Sequence, residues 1–261
     1  MASAPQQPQL PLFYNDLMPL NSQDHRTYRT RGVDKAPWLA KTHALPITVD
    51  EFVQAQRHYP IVFSVGENPL PLALMGLNEG VNTFVDDEGK MSEPVYLPAY
   101  VRRYPFMLAR LKPDSDELSL CFDPTSEAIG EFSEGELLFD DNGQTTEATK
   151  RILEFCQHFE QAAQRTQAFL DEIKNADILM DGEVSIQQDG QDQPFVYRGF
   201  RMVNQEKLLQ VDGAKLEEWS KNGLLPLLHA HMFSLDLMRT VFARQVHQGR
   251  GPQGQQQNTL N

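Results

Sequence analysis

From Thr146 to about Lys174, apolar residues return every three or four positions: Ile152, Phe155, Cys156, Phe159, Ala163, Thr166, Phe169, Leu170 and Ile173. That period marks one face of an amphipathic helix. At 1.5 Å per residue it predicts a rod ~40 Å long, enough to cross a whole sheet. Such a helix needs an apolar surface to lie on.

The surface comes from runs of a different period. Residues 61–65, 72–77, 82–86, 106–111 and 118–122 are short and apolar or alternating, and turns bearing Gly, Asn and Pro separate them. This is the pattern of antiparallel strands. Asp87-Glu88-Gly89 and residues 112–116 read as turns between them. Residues 184–187 and 195–200 predict a further hairpin around the polar loop 188–193, with 201–203 extending its second strand. Thr48-Val49-Asp50-Glu51 is a capping box and opens a short helix that must stop before Pro60. Asp212 caps a helix running through Trp219, and Gly223 suits the left-handed position that ends it. One last helix reaches about Arg244, with Pro226 in its first turn and Leu224, Leu228, His231, Leu235, Met238 and Phe242 on its apolar face.

Strands cluster first and helices follow, without βαβ alternation. The expected class is α+β: a mostly antiparallel sheet, built from residues 61–122 and covered by the long helix and the C-terminal helices. The expected organisation is a disordered or irregular tail over 1–23, one domain over 24–244, and a disordered Gln/Gly-rich tail over 245–261.

Charge narrows the partners. The chain of 261 residues carries −13, and residues 111–150 hold eleven acids against two bases. That balance opposes nucleic acid and anionic lipid, which both need a basic footprint. The acidic stretch reads as a solvated face, since no window has the ligand spacing of a calcium loop. Asp140-Asp141-Asn142-Gly143 is a turn. Cys121 and Cys156 lie in apolar surroundings outside any CxxC pair, as buried free thiols do. No Lys or Arg precedes Arg26, no apolar run has signal-peptide length, and none approaches the ~18 residues of a membrane span. The expectation is a soluble cytoplasmic protein without a transmembrane segment.

Devices for catalysis are missing from the pattern. There is no Gly-x-Ser-x-Gly elbow, P-loop or dinucleotide fingerprint, so no cofactor and no catalytic residue is expected. His229 and His231 are two apart on a helix and point ~200° away from each other, whereas helical metal pairs use i,i+4 spacing. No metal site is expected, and His231 falls on the apolar stripe as a core histidine.

The densest block is residues 95–106, with Tyr96, Tyr100 and Tyr104, adjacent Arg102 and Arg103, and the brackets Pro98 and Pro105. Adjacent side chains diverge, so the two guanidiniums should separate in role. One pairs structurally, and the other is placed to grip a carboxylate or phosphate bidentately. The candidate ligand-binding residues are therefore Arg102, Arg103, Tyr100, Tyr104 and His58, the last at a helix end.

Several blocks together resemble the bacterial SapC family, named after a surface-layer-associated protein. They are His58-Tyr59-Pro60-Ile61-Val62-Phe63, Asn82-Thr83-Phe84-Val85-Asp86, and above all Leu97-Pro98-Ala99-Tyr100-Val101-Arg102-Arg103-Tyr104-Pro105-Phe106. Leu137-Leu138-Phe139 followed by Asn142-Gly143, Gly199-Phe200 with Lys207-Leu208, and residues 223–235 continue the likeness across roughly 24–243. The resemblance implies a non-enzymatic binding or accessory protein linked to surface, uptake or modification systems. Its partner would be a protein, a peptide or a small molecule. A surface-layer component is a further reading, and it requires export. The alternative from another class is an enzyme or sensor with an Arg/Tyr-lined pocket. A concave, arginine-lined cavity with convergent polar groups would favour the enzyme or sensor, and a filled core with both arginines in surface ion pairs would favour the accessory protein.

Overall fold

The computed structural model describes residues 10–33, 35–112, 116–187 and 193–251. The outermost tails, the centre of the 112–116 turn and residues 188–192 of the polar loop lie outside the described residues. The strands are β1 (Met18–Pro19), β2 (Arg29–Thr30), β3 (Ala44–Pro46), β4 (Ile61–Phe63), β5 (Pro71–Leu74), β6 (Phe106–Arg110), β7 (Leu118–Phe122), β8 (Ile129–Gly130), β9 (Glu136–Leu137), β10 (Leu179–Ile186) and β11 (Phe195–Val203). The α-helices are α1 (Phe52–Ala55), α2 (Ala99–Arg103), α3 (Glu147–Asn175), α4 (Gln205–Leu209), α5 (Gly213–Lys221), α6 (Leu224–Ser234) and α7 (Leu237–His247). Every strand pairing among the described residues is antiparallel, and the class is α+β as expected.

The chain groups into two compact units, one of residues 1–34 and 101–160, the other of 35–100 and 161–261. Residues 147–160 of α3 count with the first and the remainder with the second.

In the first unit, β7 lies between β1 and β6, and β2 lies between β8 and β9. Phe106, Leu108, Phe122, Ile129, Leu138, Phe139 and Cys156 form its core, with Ile152 and Leu153 of α3 packed against it. The helix start follows from local chemistry. Thr146 donates its hydroxyl to the Leu137 carbonyl at 2.6 Å, and Glu147 puts an acid on the positive end of the helix. Within the segment read as a tail, Tyr14 is buried and donates its hydroxyl to the Phe106 carbonyl at 2.8 Å.

In the second unit the sheet order is β10-β11-β4-β5-β3. Residues 61–122 therefore do not build one sheet. β4 and β5 pair with the β10–β11 hairpin and β3, whereas β6 and β7 belong to the other unit's sheet.

Residues 82–86 are not a strand. Asn82 is buried, and its amide donates to the Leu39 and Thr42 carbonyls while its oxygen accepts the Phe84 N–H. These side-chain bonds replace a ladder, and a lone bridge, Val85 to Met91, remains. The final helical stretch is two helices rather than one. The Ser234 hydroxyl donates to the His231 carbonyl at 2.6 Å and accepts the Ile61 N–H at 2.8 Å, and α6 ends at this residue. Residues 245–251 are not tail: α7 runs to His247, and fully buried Gln245 accepts the Leu77 N–H and donates to Asn78 and to the Arg250 carbonyl.

Candidate functional site

The β2–β9 pairing sets Thr30 opposite Glu136, which puts Arg31 one residue beyond that pair. Arg31 donates from Nε to the Glu127 carbonyl at 3.0 Å, and its guanidinium lies 3.9 Å from the centre of the Phe132 ring. One bond and one aromatic face fix its direction. Glu136 accepts from Arg151 at 2.6 Å, tying β9 to the second turn of α3. Arg151 stands on the polar side of the helix, next to Ile152, which packs on the core.

The Arg-Arg block forms α2, and the two guanidiniums diverge as helical neighbours must. Arg103 is buried, 4.1 Å from the centre of the Phe159 ring and 3.7 Å from the Glu160 carboxylate. Burial raises the pKa of Glu160, and Arg103 acts in the opposite direction. Arg102 is exposed and lies 5.2 Å from the centre of the Phe155 ring. Tyr104 precedes a cis peptide to Pro105. Its ring meets Tyr14 edge-on at 5.2 Å, and burial pushes its phenol pKa up.

These residues line one cavity of about 410 Å³ within the first unit. Among the described lining residues, Arg31, Arg102, Arg103 and Arg151 converge there with one carboxylate, Glu136. Phe155, Ile152, Phe106 and Pro105 supply apolar wall. The volume falls in the range of small-ligand sites, which pair apolar walls with a few placed polar groups. Cys156 also lines it, and burial raises its thiol pKa to about 11, against the pull of Arg103. It is therefore a protonated thiol at neutral pH and a poor nucleophile.

A second cavity, about 720 Å³, lies in the other unit. Ile186, Pro194, Phe242 and Val246 line it with Arg239 and His247. It is larger but gathers less charge. Among the described residues no cluster of three His, Cys, Asp or Glu side chains is placed to hold a metal ion.

Of the residues singled out from sequence, Arg102, Arg103 and Tyr104 line the arginine cavity. Tyr100 and His58 are not among its lining and belong to the second unit. Tyr100 is buried; His58 is half-buried, its ring 6.0 Å from that of Tyr59. Sequence reasoning missed Arg31 and Arg151 as site residues. His231 is a core histidine, as its place on the apolar stripe indicated.

Antiparallel sheets, a long helix and an arginine-lined cavity define an α+β protein. Among the described residues no helix is long and apolar enough to cross a membrane. The SapC family model matches residues 20–241, most of the chain, and the chain belongs to the SapC family. No curated protein matches it. No solved structure matches it either.

Proposed function

We propose that this is a ligand-sensing or binding protein whose arginine cavity holds a small organic anion; the cavity favours the sensor reading, and an accessory role to a surface, uptake or modification system is compatible with it. The observation that carries the reading is charge placed against the trend of the chain: among the described residues, four arginines and Glu136 line the cavity, with Glu160 beside Arg103, in a protein of net charge −13. Arg103 alone of the four is buried, but gathering like charges at one site costs free energy through repulsion, and an anion offsets it through charge-assisted hydrogen bonds. The rings under Arg31, Arg102 and Arg103 hold the donors in place before a ligand arrives, which lowers the ordering cost of binding. The protonated Cys156 thiol supports binding rather than covalent chemistry. A cytoplasmic setting fits the two buried free thiols, Cys121 and Cys156. Cell fractionation checks it, and recovery only from the envelope or the medium would contradict it.

Thermal unfolding tests the cavity. Benzoate, phenyl phosphate, phenyl sulfate and phthalate are added at low salt and pH 7.5, with neutral benzyl alcohol as control. At least one anion raises Tm in proportion to the logarithm of its concentration, as mass action requires. The alcohol does not, and the Arg31→Ala/Arg151→Ala double variant loses the shift. No shift with any anion, or an equal shift in the double variant, overturns the proposal.

A further inference from the structure

We infer that the cavity takes an amphipathic anion tail-first, a short apolar chain lying on its floor and the anionic head staying at its rim. This rests on the cavity reading above and specifies its ligand class. The lining grades from charged and exposed to apolar and buried. The side chains of Glu136 and Arg151 are more than half exposed, at 62% and 60%, and Arg102 is exposed as well. Pro105, Phe106, Ala128, Ala148 and Cys156 of the same lining are buried. The exposed charges mark the mouth, and the buried apolar side chains form the floor. A ligand that matches this gradient is polar at one end only.

The length of the tail follows from α3. Ala148, Arg151, Ile152, Phe155 and Cys156 share one face of that helix and all line the cavity. From Arg151 at the mouth to Cys156 on the floor the helix rises ~7–8 Å, about the reach of a six-carbon chain. Phe106 and Cys156 belong to the packed core of this unit, so the floor ends against filled space there. Arg103 is the buried cation of the lining. Its guanidinium lies over Phe159 and 3.7 Å from Glu160, one turn of α3 beyond Cys156, and neither of those residues lines the cavity. A chain laid along Ile152 and Phe155 toward Cys156 leaves water, whereas a charged head carried that deep would lose hydration. The head therefore stays with Arg151 and with Arg31, which enters from just past β2.

Isothermal titration of the full chain tests this with acetate, butyrate, hexanoate, heptanoate and octanoate at pH 7.5 and low salt, and with hexanol as the neutral control. Affinity rises about three- to fourfold per added methylene as far as hexanoate and then levels off. Ethyl and hexyl phosphate carry the same comparison on a phosphate head, and the tighter-binding head names the source. Cys156→Ala deepens the floor by about one methylene, so heptanoate binds about two- to fourfold tighter than hexanoate in that variant. Cys156→Leu shortens the floor and brings hexanoate down toward butyrate. If overpacking unfolds that variant, Cys156→Ala still decides. Acetate binding as tightly as hexanoate overturns the tail-first inference and leaves the anion cavity standing. So does a gain that continues unbroken to octanoate, or a length preference unchanged in Cys156→Ala. If no carboxylate or phosphate binds, if hexanol binds as well as hexanoate, or if binding survives in Arg31→Ala/Arg151→Ala, the cavity reading itself fails.

Discussion

Nε2 of His231 lies 3.1 Å from the backbone nitrogen of Val203 and accepts its N–H. On the other side of the ring, Nδ1 donates to the Ile61 carbonyl at 2.8 Å. One neutral tautomer satisfies both partners, and it ties α6 to β4 and to β11. A second proton on the ring would set N–H against N–H inside a fully buried site. Burial accordingly lowers the His231 pKa from 6.5 to about 4, with the Ile61 carbonyl acting weakly the other way.

The sign of the pH effect follows. Between pH 6.5 and 4 the unfolded chain protonates this histidine and the folded chain does not. Stability from this group is complete above pH 6.5 and is lost as pH falls toward 4, by about 3 kcal/mol. Urea unfolding across that range measures it. A His231→Gln variant should start less stable and lose less stability over the same interval.

Glu51 is a buried carboxylate held by donors alone. Oε2 accepts the N–H and hydroxyl of Thr48 at 2.8 and 2.9 Å, and Oε1 accepts the Tyr96 hydroxyl and the Ala99 N–H at 3.0 and 2.6 Å. Glu51→Ala strands three buried donors, on Thr48 and Ala99, and should cost about 3 kcal/mol or more in denaturant unfolding. A loss below about 1 kcal/mol would mean that the network contributes little.

The arginine pair should separate in stability as it does in burial. Arg103→Ala removes packing on Phe159 and leaves Glu160 in its desolvated setting, a cost of about 2–3 kcal/mol. Arg102→Ala, exposed, should cost less than about 1 kcal/mol. Equal losses would contradict the division of roles.

Two nearby glycines should behave differently. A Cβ at Gly76 would sit 1.8 Å from the Val81 carbonyl oxygen, a backbone atom that cannot step aside. Gly76→Ala should destabilise by about 3 kcal/mol or more. Gly80, at φ +77°, faces open space, so Gly80→Ala meets only the left-handed backbone penalty of about 1–2 kcal/mol. Thermal unfolding of the two variants distinguishes them.

What sequence revealed follows the range of each interaction. The long helix was legible because its nine-position apolar stripe is local and regular, and it forms as Glu147–Asn175. The Asp212 cap and the left-handed Gly223 were legible for the same reason: each is settled by a few neighbouring residues. Which strands share a sheet was not, because Phe63 meets Arg201 and Met18 meets Phe122 across long stretches of chain. The grouping of contacts into two units is hidden in the same way.

The candidate site was half legible. Arg102, Arg103 and Tyr104 announced themselves by density in one block. Arg31 and Arg151 reach the same cavity through strand register and a helix start, and neither has a local signature. Gln245 was misread because a Gln/Gly-rich composition suggests a tail. Its side chain instead serves as a buried polar anchor for Leu77 and Asn78.

The most direct test of the arginine cavity is a crystal structure of the protein with phenyl phosphate bound. The account predicts the phosphate within hydrogen-bonding distance, about 3 Å, of at least two of Arg31, Arg102, Arg103 and Arg151. Its ring should lie along Ile152 and Phe155. A ligand seated elsewhere on the protein, with the cavity holding solvent alone at saturating concentration, would contradict it.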